Sequence, residues 1–122
     1  MDIRIKRAYD KPEPQDGFRV LVDRLWPRGI KKEDLPIHTW AKSIAPSTDL
    51  RKWFNHEADR WSEFSRRYRH ELKDAAALQA IKDILHAAKG FPAITLIYSA
   101  KNTEQNQAVV LQSVFRSLSK ND

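Results

Sequence analysis

Apolar and charged residues alternate over residues 3–8. Ile3 and Ile5 stand against Arg4 and Lys6, the period of a strand with one face in water. Residues 9–17, YDKPEPQDG, break the pattern with two prolines and a glycine and read as a loop. Residues 18–26, FRVLVDRLW, hold a nearly continuous apolar run at Val20, Leu21 and Val22, which predicts a strand buried on both faces. Asp23 and Arg24 close that run, and WPRG turns the chain. Over residues 35–45 the four-residue spacing of Trp40 and Ile44 suits a short helix face, ended by Pro46. Ser47, Thr48 and Asp49 offer caps for a helix from about Leu50, with Leu50, Trp53 and Phe54 on its apolar side. From Ala58 the helical period is strong, through Trp61, Phe64, Tyr68 and Leu72. Asp74 caps a further helix, closed by Gly90 and Pro92. Residues 91–98 form a third strand around Ile94, Leu96 and Ile97. After a polar loop, a last helix starts near Thr103 or Glu104, with Ala108, Leu111, Val114, Phe115 and Leu118 as its stripe.

This order predicts an α/β fold: a small, mostly parallel sheet of about three strands, flanked by helices on both faces. The long helical segment between the second and third strands is the crossover that a parallel pair requires. Residues 1–122 read as a single domain, with residues 119–122 as a frayed tail.

Composition narrows the chemistry. The chain has no cysteine, which excludes a disulfide framework, a thiolate nucleophile and a cysteine-ligated metal. None of His38, His56, His70 and His86 lies three or four residues from another, so no helical metal pair is expected, and no cofactor is implied. Glycine-rich phosphate loops are absent, since the chain has only three glycines. No apolar run suits a membrane span and the N-terminus does not read as a secretory signal, so a cytoplasmic protein without a membrane partner is expected. The net charge is +6, but the cationic excess is two in each of residues 1–40, 41–72 and 73–122. That even spread argues against a nucleic-acid arm and suits a small anionic partner. The one local cluster, Arg66, Arg67 and Arg69, reads as a solvated helix face.

Ligands of open α/β sheets bind beyond the carboxyl ends of the strands. Asp23, Arg24, Trp26 and Arg28 stand at such an end. If the second and third strands are parallel, Tyr98 and the loop reaching Asn106 lie on the same side. Ser47 sits at a helix start, where free N–H groups favour an anion, with Arg51 one turn inside. Plain capping accounts for Ser47 or Asp49 equally well. His56 is a candidate general base by its ordinary pKa; Asp23 is the other catalytic candidate, placed to orient an arginine or accept a ligand hydroxyl. A structural ion pair is the competing reading of Asp23 and Arg24.

The segments IKRAYD, DGFRVLVDRLWPRGIKKEDL, IAPST-x-LRKWF-x-H, TLIYSAKN and NQAVVL together resemble the short bacterial YeaO-like branch of domain of unknown function 488, over residues 3 to about 118. The resemblance brings no defined activity. It does align Asp23, Arg24 and Pro27 with a VD-x-R-x-x-P-like segment of longer relatives. It aligns residues 99–107 with a loop that in those relatives ends in Cys-His-Arg. Close relatives commonly read NHAVVL, where this chain has Gln107 in place of the histidine. If that histidine or cysteine is catalytic elsewhere, chemistry here rests on Asp23, Arg24, Lys42 and Arg51, or the pocket binds without reacting.

The expectation is therefore an arginine-lined pocket for a small phosphate-bearing or nucleotide-like anion. Arg24, Trp26, Arg28, Lys42, Ser47, Arg51, Tyr98 and Asn106 are its expected ligand-binding residues. A nucleic-acid-binding regulator and a protein-interaction module are the alternatives. Enzymatic activity and oligomeric state are left open.

Overall fold

The computed structural model describes residues 1–120. Four strands, β1 (Asp2–Arg7), β2 (Phe18–Leu21), β3 (Thr39–Trp40) and β4 (Ala93–Tyr98), form one sheet. Their order is β1-β4-β2-β3, and every pair is parallel. The helices are α1 (Thr48–Phe54), α2 (Trp61–Glu71), α3 (Ala75–Ala87) and α4 (Gln107–Ser119). The first three fill the crossover from β3 to β4. All six residues of the central β4 are buried, which explains its unbroken apolar run.

The two faces are covered differently. Ile3, Val20, Ile94, Leu96 and Tyr98 point into the larger core, together with the buried residues of all four helices. Leu21 and Ile97 point the other way and pack with Ala8, Leu35, Trp26, Ile30, Ile37 and Trp40. That second cover is loop and a 3-10 turn at Lys32–Asp34 rather than α-helix. Residues 8–38 are too rich in proline and turn residues to sustain a helix, so the expected helical layer on this face is replaced by irregular chain.

The sheet has one strand more than the pattern predicts. Residues 39–40 pair with β2 instead of turning into a helix, fixed by Nα of His38 donating to Arg19 O at 2.8 Å and of Ala41 to Leu21 O at 2.8 Å. Only a 3-10 turn, Lys42–Ile44, remains of the helical spacing there. α4 starts at Gln107, later than expected. Oδ1 of Asn102 accepts from the backbone of Glu104 and Gln105, which holds those residues in a turn, and Asn106 becomes the cap. The expected frayed tail divides: Ser119 closes α4, and residues 121–122 lie outside the described residues.

Gly17 is needed where it stands. It has φ 68°, and a Cβ there would lie 2.3 Å from Ala93 O. The turn entering β2 thus presses against the start of β4. Beside it, Asp16 and Arg19 are buried on the second face, with Lys6 half-buried next to them. Asp16 accepts from Lys6 at 3.0 Å and from Arg19 at 2.5 Å. Burial pushes the Asp16 carboxyl up, but donation from the Glu13 backbone, Lys6 and Arg19 outweighs it and holds the carboxyl below its ordinary value.

Candidate functional site

The parallel sheet brings the carboxyl ends of β1, β2 and β4 to one side, and a cleft of about 710 Å³ opens there. That volume lies in the range of small-molecule sites, ~300–1,000 Å³. Three stretches of chain past the strand ends meet α1's last turn and α4's first residue at the cleft.

At its base, Asp23 ties the end of β2 to the end of β4. One carboxylate oxygen accepts from the Ser99 backbone at 3.0 Å and from the Ser99 hydroxyl. The other accepts from Nε2 of Gln107. Burial pushes the Asp23 carboxyl above its ordinary value, although Ser99, Gln107 and the charge of Arg51 pull against it. The loop is held from behind by Arg7, which donates to Ala100 O at 2.9 Å and Ser99 O at 3.1 Å. Tyr98 is buried in the larger core, and that burial raises its hydroxyl pKa.

The walls are cationic. Arg24, Arg28, Arg51 and Lys101 line the cleft, and among the described residues Asp23 is the only carboxylate in the lining. Among the described residues none of these four cations forms an ion pair. Arg24 is steadied by donating to Pro46 O at 3.2 and 3.3 Å, contacts that leave its charge unneutralised. His56 also lines the cleft, at the end of α1. It and Asn55 have φ of 55° and 46°, two successive left-handed residues that turn the chain at the rim.

Of the residues singled out from the sequence, Asp23, Arg24, Trp26, Arg28, Arg51, His56 and Asn106 are brought together here. Asn106 is engaged as a cap: Oδ1 accepts from Ala108 at 2.9 Å and Nδ2 donates to Asn102 O at 2.9 Å. Lys42, Ser47 and Tyr98 are not among the lining residues. The Lys42 ammonium lies 3.9 Å from the centre of the Trp40 ring. Ser47 caps α1, and the Glu71 carboxylate accepts from its backbone at 2.9 Å and its hydroxyl at 2.6 Å. The anion expected at that helix start is therefore supplied from within the chain, 24 residues away. No local pattern marks Glu71 for this role. Lys101 and Tyr9, by contrast, follow from the strand-end rule once β1 and β4 are seen to run parallel.

Outside the cleft, Arg66 and Arg67 both pair with Glu63, holding its carboxyl down to about 2. Among the described residues no group of three acidic or histidine side chains is arranged to hold a metal ion. No helix among them is long and apolar enough to cross a membrane.

Residues 2–122 match the profile of a family described as the inactive DUF488-N3 subclade. The chain is 52% identical over 118 residues to an uncharacterized protein, YeaO, of Escherichia coli K12, covering 97% of this chain and all of that one. It is 39% identical over 109 residues to an uncharacterized protein of Mycobacterium bovis, covering 89% of each. No solved structure matches at a significant level.

Proposed function

The chain belongs to the inactive DUF488-N3 subclade, and we propose that its cleft binds a small phosphate-bearing anion without transforming it. The observation that carries this reading is the charge arrangement. Among the described residues, four cations without ion-pair partners line a cleft whose single carboxylate is already satisfied by three donors. Arg24, Arg28 and Arg51 hold the anion, with bidentate contacts where a phosphate presents two oxygens. Lys101 adds charge at the loop. Asp23 positions Ser99 and Gln107, so it is not available as a general base. The description of the subclade as inactive agrees with binding alone. In the cytoplasm the protein has access to phosphorylated metabolites.

The test is thermal stabilisation by inorganic phosphate, sugar phosphates, mononucleotides and short oligonucleotides at low and high salt. A ligand at ~100 times its Kd adds about 2.7 kcal/mol, a shift of several degrees for a domain of this size. We expect a phosphorylated small molecule to produce it, and Arg51→Ala to remove most of it while leaving the unliganded midpoint within about 2 °C. Stabilisation only by oligonucleotides, lost at high salt, would overturn the small-ligand reading. No response to any of them would remove the anion site.

A further inference from the structure

Resting on that reading, we infer that the anion carries an aromatic ring, so that the ligand is an aryl or heteroaryl phosphate rather than a bare phosphate or an aliphatic ester. Of the four large apolar side chains exposed among the described residues, two, Leu25 at 64% and Tyr9 at 48%, line this cleft. Exposed apolar groups at the rim of a cationic pocket gain only if a ligand covers them.

Their setting is prepared for such a ligand. The Tyr9 hydroxyl donates to Arg28 O at 3.0 Å, and the Arg7 guanidinium lies 4.9 Å from the ring centre, so the ring is fixed at both edge and face. Trp26 donates through Nε1 to Ile30 O at 2.6 Å and meets Trp40 edge-on, which fixes its ring as well. Phe54 and Phe64 add buried aromatic surface to the lining, stacked at 4.3 Å. Arg28, Tyr9 and Trp26 share one lining, and Tyr9 is hydrogen-bonded to the Arg28 backbone. The cationic and aromatic surfaces thus belong to one cavity. A neutral ring would leave four cations unanswered, and a bare phosphate would leave the aromatic rim wet.

The size of the effect is readable. At ~25 cal/mol per Å² of apolar surface, covering about 60 Å² of ring corresponds to roughly tenfold in affinity. The experiment is calorimetric titration of the whole chain with methyl phosphate, phenyl phosphate and phenol. We expect phenyl phosphate to bind about tenfold more tightly than methyl phosphate, and phenol to give no measurable binding. Leu25→Ser and Tyr9→Ser alter exposed side chains and should leave folding intact. Each should reduce the phenyl advantage to roughly threefold or less, and methyl phosphate affinity should be unchanged in Leu25→Ser, which leaves the hydrogen bond between Tyr9 and Arg28 in place. Equal binding of the two phosphates overturns the inference and leaves the anion site standing. A phenyl advantage that survives in both variants also overturns it, because the ring then sits elsewhere. Absence of binding by both phosphates removes the anion site itself.

Discussion

Asp23 accepts from three donors, yet burial outweighs those hydrogen bonds and holds its carboxyl above the ordinary value. The sign of the consequence is fixed. The folded state holds this proton more tightly than the unfolded chain, so Asp23's contribution to stability is full below the ordinary value near 3.8 and declines as pH rises through the raised one. Asp23→Asn removes that decline. Its amide oxygen still accepts from Ser99, and its NH₂ donates to Oε1 of Gln107 once that amide turns over. We expect Asp23→Asn to stay within about 1 kcal/mol of the wild type at pH 7, and to lack the Asp23 contribution that declines as pH rises above the ordinary aspartate value, by urea titration. Asp23→Ala should cost about 1–3 kcal/mol, since the Ser99 N–H loses its partner. At this scale the sequence was informative where position alone decides. Asp23 and Arg24 close an apolar run, so they had to stand at a strand end. It was silent where a partner is remote: nothing near Ser47 announces Glu71, and nothing near Asp23 announces Ser99.

The same division holds for elements. Strands and helices with a full period were legible, as with β4, α2 and α3, whose cap Asp74 accepts from Ala76 and Ala77. β3 was not, because a two-residue strand exists only through its pairing with β2. α1 has seven residues, too short to persist by propensity, and is held by Ser47, Glu71 and its buried Leu50 and Phe54. Glu71→Ala should cost about 1–2 kcal/mol in urea denaturation. Because α1 carries Arg51, Phe54 and His56 to the cleft, phosphate affinity should weaken with it. The turns before and after β2 offer a sharper contrast between two glycines of positive φ. Gly29, with φ 78°, has open space where a Cβ would stand, whereas Gly17 would drive one into Ala93. Gly29→Ala should cost about 1–2 kcal/mol, for conformation alone. Gly17→Ala should cost on the order of 3 kcal/mol or more, for conformation and collision together. Equal losses would show that the approach of the two strands is loose.

Over the whole molecule, two buried aspartates act on pH in opposite directions. Asp16, on the loop-covered face, is held below its ordinary value, so its contribution is present above the unfolded value near 3.8 and lost as pH falls. Asp23, at the strand ends, contributes more as pH falls. Acidification also raises the net charge above +6, which adds self-repulsion. The Lys6–Asp16–Arg19 cluster had no signature in the sequence, since its members join only when β1 and β2 flank β4. Removing the charge of Asp16 leaves Arg19 buried with one ion partner fewer. Asp16→Asn should therefore cost about 3 kcal/mol at pH 7 and flatten the loss of stability below pH 5. The two sites stand on different parts of the sheet and share no hydrogen-bond partner, so the double variant Asp16→Asn, Asp23→Asn should show the sum of the two changes within about 0.5 kcal/mol at each pH. If Asp16→Asn loses stability on acidification as steeply as the wild type, then general charge repulsion rather than this buried cluster governs acid unfolding.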